Sequence, residues 1–136
     1  MARAFTLDGT YIHLKPDDSA RILEGGERFW AAVEERRDLD HGRLMGASDQ
    51  SKDWDHWERH PAGEEILTLL SGKMELVLDM PEGEQRTVVK AGETFIVPRG
   101  IWHRALVREP GRLMFVTPGA GTEHRAVDRP VATLRD

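Results

Sequence analysis

Hydrophobic and polar positions alternate in short runs over most of the chain after residue 42, and glycine or proline separates the runs. Within residues 73–79, Met74, Leu76 and Leu78 would share one face of an extended chain, because side chains two positions apart point to the same side. Short alternating runs divided by turn residues are typical of an antiparallel sandwich or barrel. The predicted strands are Arg43–Asp49, Trp54–His60, Glu65–Leu70, Lys73–Asp79, Gln85–Val89, Thr94–Val97, His103–Arg108 and Leu113–Thr117.

The two ends of the chain have different patterns. Residues 1–19 are polar and mixed, which favours an extended arm or a short edge strand. Phe29, Trp30 and Val33 recur at helical spacing and predict a short helix over residues 27–37, with its apolar side against the sheet. The residues after Gly119 show no periodicity and predict a tail that lies over the surface. We therefore expect one domain with an N-terminal arm and helix (1–41), a barrel (42–119) and a C-terminal tail (120–136).

Composition narrows the classes of protein that the chain can represent. A length of 136 residues suits one domain with one core. The net charge of −5 opposes binding to a nucleic acid, and no apolar run approaches the length of a membrane span. The N-terminus carries no apolar signal segment, so we expect a cytoplasmic protein. The chain has no cysteine, so a metal ion would have to be held by nitrogen and oxygen ligands.

Candidate metal ligands cluster around the second predicted strand. In an extended chain, His56, Glu58 and His60 share one face. Residues 61–63, Pro-Ala-Gly, predict a tight turn that returns the chain as an antiparallel neighbour. Glu65 would then lie opposite His60 across a hairpin. Imidazole and carboxylate groups brought together in this way are what a metal site needs.

A second polar segment runs from Gly92 to His103, through a strand and a Pro-x-Gly turn. The two segments together resemble the paired motifs of the cupin superfamily, G-x5-H-x-H-x3,4-E-x6-G and G-x5-P-x-G-x2-H-x3-N. The first motif is matched from its second histidine onward, and the second motif is matched up to its histidine. The matching residues are His60, Glu65 and Gly72 in the first motif, and Gly92, Pro98, Gly100 and His103 in the second.

This resemblance implies a fold and a site. The implied fold is an all-β double-stranded β-helix, the jelly-roll barrel of the cupins, and the implied assembly is a homodimer. The implied ligands of a divalent metal (Mn, Fe, Ni or Zn) are Glu58, His60, Glu65 and His103. Glu58 stands where the motif has a histidine, and Val107 stands where the motif has its closing asparagine. A shell of two histidines and two glutamates would neutralise the ion and favour harder cations such as Mn²⁺ or Fe²⁺.

Several alternatives remain open for the individual residues. Glu58 could act as a catalytic general base beside a metal held by the other three residues, with its pKa raised by burial and a neighbouring carboxylate. Glu58 could instead pair with an arginine, namely Arg59, Arg99 or Arg104. His56 could supply a further imidazole ligand if the strand is bulged, or could simply be packed or lie at the surface. His124 is expected to be solvent-exposed in the tail.

The possible functions fall into three classes. The first is a metal-dependent enzyme, an oxygenase, isomerase or hydrolase acting on a small organic substrate. The second is a metal-free domain that binds or senses a small molecule. The third is a metal-free isomerase or epimerase that uses histidine and glutamate as acid and base. In each class the ligand pocket could include His56, Trp54 and Trp102, although packing or a dimer interface explains the tryptophans equally well.

Overall fold

The computed structural model describes residues 3–25, 29, 32 and 35–127, and most of them lie in antiparallel strands. This architecture confirms the predicted all-β fold. The elements in chain order are β1 (Thr10–Leu14), β2 (Ala20–Glu24), a 3-10 helix (Arg37–Asp40), β3 (Arg43–Gln50), β4 (His56–Arg59), β5 (Glu65–Met80), β6 (Gly83–Lys90), β7 (Thr94–Val97), β8 (Trp102–Pro118) and β9 (Glu123–Ala126). Among the described residues, no helix is long and apolar enough to cross a membrane.

Two long strands, β5 and β8, pair with each other and connect the two halves of the barrel. The first half of β5 lies between β7 and the second half of β8, which continues to β3, β1 and β2. The second half of β5 lies between β6 and the first half of β8, which continues to β4 and β9. Because each long strand contributes to both halves, the two sets of strands face each other around a common interior.

The predicted strand breaks between Leu70 and Lys73 and between Arg108 and Leu113 are wrong. Both segments lie inside continuous strands, and the pairing of β5 with β8 shifts register between Leu69 and Met74. Gly72 has a φ of +85°, and a Cβ on Gly111 would lie 1.9 Å from the backbone oxygen of Ser71. The glycines therefore allow a bulge where the two backbones come unusually close, and the strands bend there instead of ending.

The core fills the barrel interior as the alternation predicts. Met74, Leu76 and Leu78 are each 2% exposed. Val77, on the opposite face of β5, is also buried, whereas Leu70 is half exposed. The other fully buried side chains include Leu67, Leu69, Val97 and Ala105. The expectation of a homodimer, which the resemblance to the cupin superfamily implies, stays a prediction.

Both chain ends contribute strands: β1 lies within residues 1–19, where an extended arm or a short edge strand is predicted, and β9 lies in the predicted tail. The N-terminal arm forms β1 and β2, and β1 pairs with β3. The predicted helix over residues 27–37 falls mostly outside the described residues. Phe29 is buried edge-on against Tyr11, with ring centroids 5.2 Å apart. The predicted surface tail contains β9, which adds to β4 and covers one side of the candidate site.

Candidate metal centre

Three strands bring together four polar side chains, Glu58, His60, Glu65 and His103, which we name the inner cluster. Glu58 on β4 and His103 on β8 are directly opposed partners. Glu65 is the first residue of β5, and His60 follows β4 immediately. The amide of Gly100 donates to the carbonyl oxygen of His60 at 3.1 Å, so the turn before His103 is tied to His60. All four ligand atoms lie within 4.8 Å of one another.

The predicted hairpin between His60 and Glu65 is wrong, although the two side chains do meet. Strand β4 pairs with β8 and β9, whereas β5 pairs with β6, β7 and β8. Residues 61–63 therefore carry the chain from one half of the barrel to the other. His60 Nε2 still lies 3.3 Å from Glu65 Oε1, because both side chains point into the shared interior.

The inner cluster is buried and closely spaced. His60 and Glu65 are each 3% exposed, and His103 is fully buried. His103 Nε2 lies 2.9 Å from Glu65 Oε1 and 3.5 Å from Glu58 Oε1. His60 Nε2 lies 3.6 Å from Glu58 Oε1. Two nitrogens and two carboxylate oxygens thus converge on one point, which is the donor set expected for a divalent cation.

Hydrogen bonds on the far side of each imidazole fix its orientation. His103 Nδ1 lies 3.0 Å from the carbonyl oxygen of Ile101, which can only accept, so Nδ1 carries the proton. His60 Nδ1 lies 2.9 Å from Thr122 Oγ1, and that hydroxyl in turn donates to the carbonyl oxygen of Pro118. In the neutral state both rings therefore aim a Nε2 lone pair at the carboxylates. Metal-binding histidines are commonly oriented in this way.

The carboxylate of Glu65 is also oriented by a hydrogen bond on the side away from the histidines. Thr117 Oγ1 donates to Glu65 Oε2 at 2.5 Å, which leaves Oε1 to face the two histidines. Neither Thr117 nor Thr122 was singled out from the sequence, because both lie outside the two motif segments. Their contacts depend on how β8 ends and on how the chain returns into β9.

The facing carboxylates set the pKa values of the two buried histidines when no cation is bound. Burial lowers the pKa of each imidazole, but Glu58 and Glu65 outweigh it. The result is a pKa raised to about 9 for His60 and to about 10 for His103. Burial raises the pKa of Glu65, and the two histidines reverse this and lower it. Without a cation, the cluster is two imidazolium groups facing two carboxylates.

The expected rise in the pKa of Glu58 is wrong. Burial does raise it, but four imidazoles surround the carboxylate and lower its pKa well below the usual value. The predicted pairing with an arginine is also not what the structure shows. Glu58 faces histidines, while Arg59 pairs with Glu123 and Arg104 donates to the backbone oxygen of Trp54. A carboxylate so stabilised in its charged form is a weak base and a suitable ligand.

The second oxygen of Glu58 faces a further pair of histidines. His124 Nε2 lies 3.5 Å from Glu58 Oε2, and His56 Nε2 lies 3.8 Å from the same oxygen. We name His56, Glu58 and His124 the outer cluster. The side chains of His56 and His124 are 40% and 41% exposed. His124 is thus as exposed as expected, but its contact with the site was missed from the sequence.

A cavity of about 1000 Å³ opens onto both clusters. Its walls combine apolar side chains with hydroxyl and amide groups, and Trp54 is part of the wall. Trp54 Nε1 donates to Gln50 Oε1 at 2.7 Å. The residues that line the cavity near the clusters are Leu44, Ser48, Gln50, Trp54, Leu113, Phe115 and Thr117.

Trp102 does not line this cavity. It packs instead beneath two guanidinium groups, with Arg59 at 4.8 Å and Arg125 at 4.6 Å from its ring centroid. Arg125 also lies 5.4 Å from the ring of Trp57. Arg125 belongs to β9, so these contacts hold β9 against the barrel.

The comparisons with known proteins agree with this fold. The model of the cupin domain family matches residues 48–119, which is more than half of the chain. The chain belongs to the cupin domain family. No curated protein sequence matches the chain significantly.

Several solved structures are similar to the chain. An oxalate oxidase is 21% identical, with a TM-score of 0.50, over 59% of this chain and 44% of its own. A cupin-2 domain protein from Shewanella frigidimarina is 18% identical, with a TM-score of 0.49, over 56% of this chain and 70% of its own. Hydroxypropylphosphonic acid epoxidase from S. wedmorenis is 18% identical, with a TM-score of 0.47, over 55% of this chain and 43% of its own. At this level of identity the oxidase supports the fold alone.

Proposed function

We propose that this cupin domain binds a divalent metal ion through Glu58, His60, Glu65 and His103, and that the bound ion acts on a small organic molecule in the adjoining cavity. The observation that carries the proposal is the state of His60. Among the described residues, His60 Nε2 is a buried side-chain nitrogen with no hydrogen-bond partner. A buried polar atom without a partner is costly, so its position needs a physical reason.

A cation supplies that reason. His60 Nε2 lies 3.3 Å and 3.6 Å from its two carboxylate neighbours, too far or too poorly aligned for a hydrogen bond. Two ligands on a tetrahedral Zn²⁺ ion, with bonds of about 2.0–2.1 Å, lie roughly 3.3 Å apart. The ligand atoms of the inner cluster are therefore spaced as if around a shared ion. The same donor set accepts Mn²⁺, Fe²⁺, Ni²⁺ or Zn²⁺, and its second carboxylate favours the harder ions.

The cavity defines what the site can accept. Its volume of about 1000 Å³ suits a small organic molecule. Leu113 and Phe115 offer apolar surface, while Ser48 and Gln50 offer hydrogen bonds that can orient a polar group. A bound divalent ion would polarise an oxygen of that molecule or of water, which supports oxygen chemistry, isomerisation or hydrolysis. Glu58, with its lowered pKa, serves in this proposal as a ligand.

A metal-free acid–base role for the same residues is the second candidate. The observation that favours it is the charge balance of the inner cluster, since two imidazolium groups would neutralise two carboxylates without any ion. His103 would then be the proton donor nearest to Glu65, at 2.9 Å. Such an isomerase or epimerase would retain its turnover in the presence of a chelator.

Metal content tests the proposal. Untagged protein purified without chelators, and the same protein reconstituted with Mn²⁺, Fe²⁺, Ni²⁺ or Zn²⁺, would be measured by inductively coupled plasma mass spectrometry. We expect at least one equivalent per chain in the wild type. The Glu65→Gln variant should lose the inner equivalent, whereas Glu64→Gln, at the neighbouring exposed glutamate, should keep it.

Two results would contradict the proposal. One is a wild-type protein that takes up no ion under any of these conditions. The other is undiminished metal content in a folded Glu65→Gln variant. Circular dichroism and thermal melting establish that each variant is folded, so a loss of metal is not mistaken for a loss of structure.

A further inference from the structure

Strands β4 and β9 place the outer cluster directly beside the inner one. Glu58 and His124 are opposed partners in the antiparallel ladder. His56 lies two residues before Glu58 on the same strand and therefore on the same face. The carboxylate of Glu58 thus lies between two pairs of histidines: Oε1 faces the inner pair and Oε2 faces the outer pair.

We propose that His56, Glu58 and His124 form a second divalent-cation site, with Glu58 bridging it to the inner one. The inference rests on the proposed function, because the two sites share this carboxylate. His124 Nε2 and His56 Nε2 lie 3.5 Å and 3.8 Å from Glu58 Oε2. These separations exceed a hydrogen bond and lie within about 0.5 Å of the roughly 3.3 Å between two ligands of one tetrahedral Zn²⁺ ion. All the ligand atoms of the outer cluster lie within 4.8 Å of one another.

The surroundings of His56 support this role. His56 Nδ1 lies 3.0 Å from Asp55 Oδ1, so in the neutral ring Nδ1 donates and the Nε2 lone pair points toward Glu58. A carboxylate that accepts a hydrogen bond from the ring nitrogen facing away from the ion is an arrangement that orients metal-binding imidazoles. The ring also stacks on Trp54, with centroids 6.0 Å apart and planes 8° from parallel. This stacking restricts the rotation of the imidazole, so its direction is set before an ion binds.

The outer site has the features of an open site. Three protein ligands leave at least one position free, and the partial exposure of His56 and His124 gives that position access to the cavity. Two imidazoles with one carboxylate suit Zn²⁺, Co²⁺ or Ni²⁺. With ions in both sites, two carboxylates face four positive charges. The centre would then attract an anionic ligand, such as a carboxylate or phosphate group.

The number and position of bound Zn²⁺ ions test the second site. Chelator-treated protein would be saturated with Zn²⁺, passed through gel filtration and measured for metal per chain. We expect two equivalents in the wild type and one in His124→Ala and His56→Ala. His41→Ala, which removes an exposed histidine outside both clusters, should keep two. Crystals of the zinc-loaded protein should show two anomalous peaks, one on each side of Glu58.

The outcomes separate this inference from the proposed function. One equivalent in the wild type, lost in His103→Gln and kept in His124→Ala, would overturn the second site and leave the inner one. One equivalent lost in His124→Ala and kept in His103→Gln would support the outer site and overturn the inner one. No bound Zn²⁺ in any protein would overturn both. A second anomalous peak away from His56 and His124 would also overturn the second site.

Discussion

The inner and outer clusters share one carboxylate but differ in burial. His60 and His103 are almost entirely enclosed, whereas His56 and His124 are about 40% exposed. In the inner cluster, charge must be balanced largely among the ligands themselves, because the two histidines and Glu65 have little contact with water. In the outer cluster, water can complete the coordination or replace the ion. The same residue types on adjacent strands should therefore differ in how strongly they require a cation.

Removal of a buried inner ligand should have the largest effect and should be confined to the inner cluster. We expect His103→Gln to weaken binding at the inner site by more than about 100-fold, since it removes a ligand outright and losing an orienting contact alone costs 10–100-fold. Isothermal titration calorimetry with Zn²⁺ measures the change. His13→Gln is a matched control, because His13 is also buried and its ring contacts the backbone oxygen of His41. Equal losses in both variants would contradict the assignment.

In the metal-free protein, the free energy of unfolding should depend on pH because of the two buried histidines, His60 and His103. Because the pKa values of His60 and His103 are raised to about 9 and about 10, the folded state holds protons that the unfolded state releases near pH 6.5. Their stabilising contribution is complete below pH 6.5 and is lost as the pH rises through 9–10. The slope is at most about 3 kcal/mol per pH unit for two protons.

Thermal melts of chelator-treated protein between pH 6 and pH 10 check this prediction. The melting temperature should fall across the window in the wild type. It should fall less in His103→Gln, which has only one of the two groups. A wild-type melting temperature that does not fall over this range would show that the two histidines are not held protonated in the folded state.

Removal of the hydroxyl contact to His60 Nδ1 should have an intermediate effect on metal affinity. Thr122→Val removes the hydroxyl that holds His60 Nδ1 at 2.9 Å. We expect inner-site affinity to fall about 10–100-fold, while Thr122→Ser, which retains the hydroxyl, stays close to the wild type. Calorimetric titration of the two variants provides the test. Indistinguishable affinities would mean that the orientation of His60 does not depend on Thr122.

Removal of a contact that holds β9 should have the smallest effect on metal binding. The loss of affinity should fall mainly on the outer cluster. Arg125 lies over Trp57 and Trp102 and pairs with Asp79 at 3.1 Å. Because these groups are partly exposed, Arg125→Ala should lower the free energy of unfolding by about 1 kcal/mol. It should weaken the His124-dependent site a few-fold and leave the inner site unchanged.

Urea unfolding and Zn²⁺ titration of Arg125→Ala measure both effects. Arg86→Ala is the matched control, since Arg86 pairs with Glu84 on the exposed strand β6. A larger loss at the inner site than at the outer one would contradict the idea that β9 positions the outer cluster.

The inner cluster could be predicted from the sequence because its residues lie in two motif segments with fixed spacing. The path of the chain that brings these residues together could not be predicted. A Pro-Ala-Gly turn is compatible both with a hairpin and with a crossing between the halves of the barrel, and local sequence does not distinguish the two. Glycines 72 and 111 likewise resemble turn residues, although they serve as points of close approach between β5 and β8.

The outer cluster could not be predicted for a different reason. All four residues of β9, Glu123–Ala126, are exposed, so the strand lacks the alternation that marks a half-buried strand. Because the sequence does not predict β9, it does not place His124 or Thr122 near the site. The lowered pKa of Glu58 could not be predicted either, because the sequence indicates a neighbouring carboxylate but not the four imidazoles around it.

If the inner cluster holds a divalent ion in place of two protons, those protons must leave when the ion binds, and their number can be measured. Zn²⁺ would be titrated at pH 7.5 into chelator-treated His124→Ala protein, by calorimetry in buffers of different ionisation enthalpy. Because the raised pKa values keep His60 and His103 protonated at this pH without a cation, we expect one bound ion and the release of about two protons. Binding without proton release, or no binding at all, would contradict it.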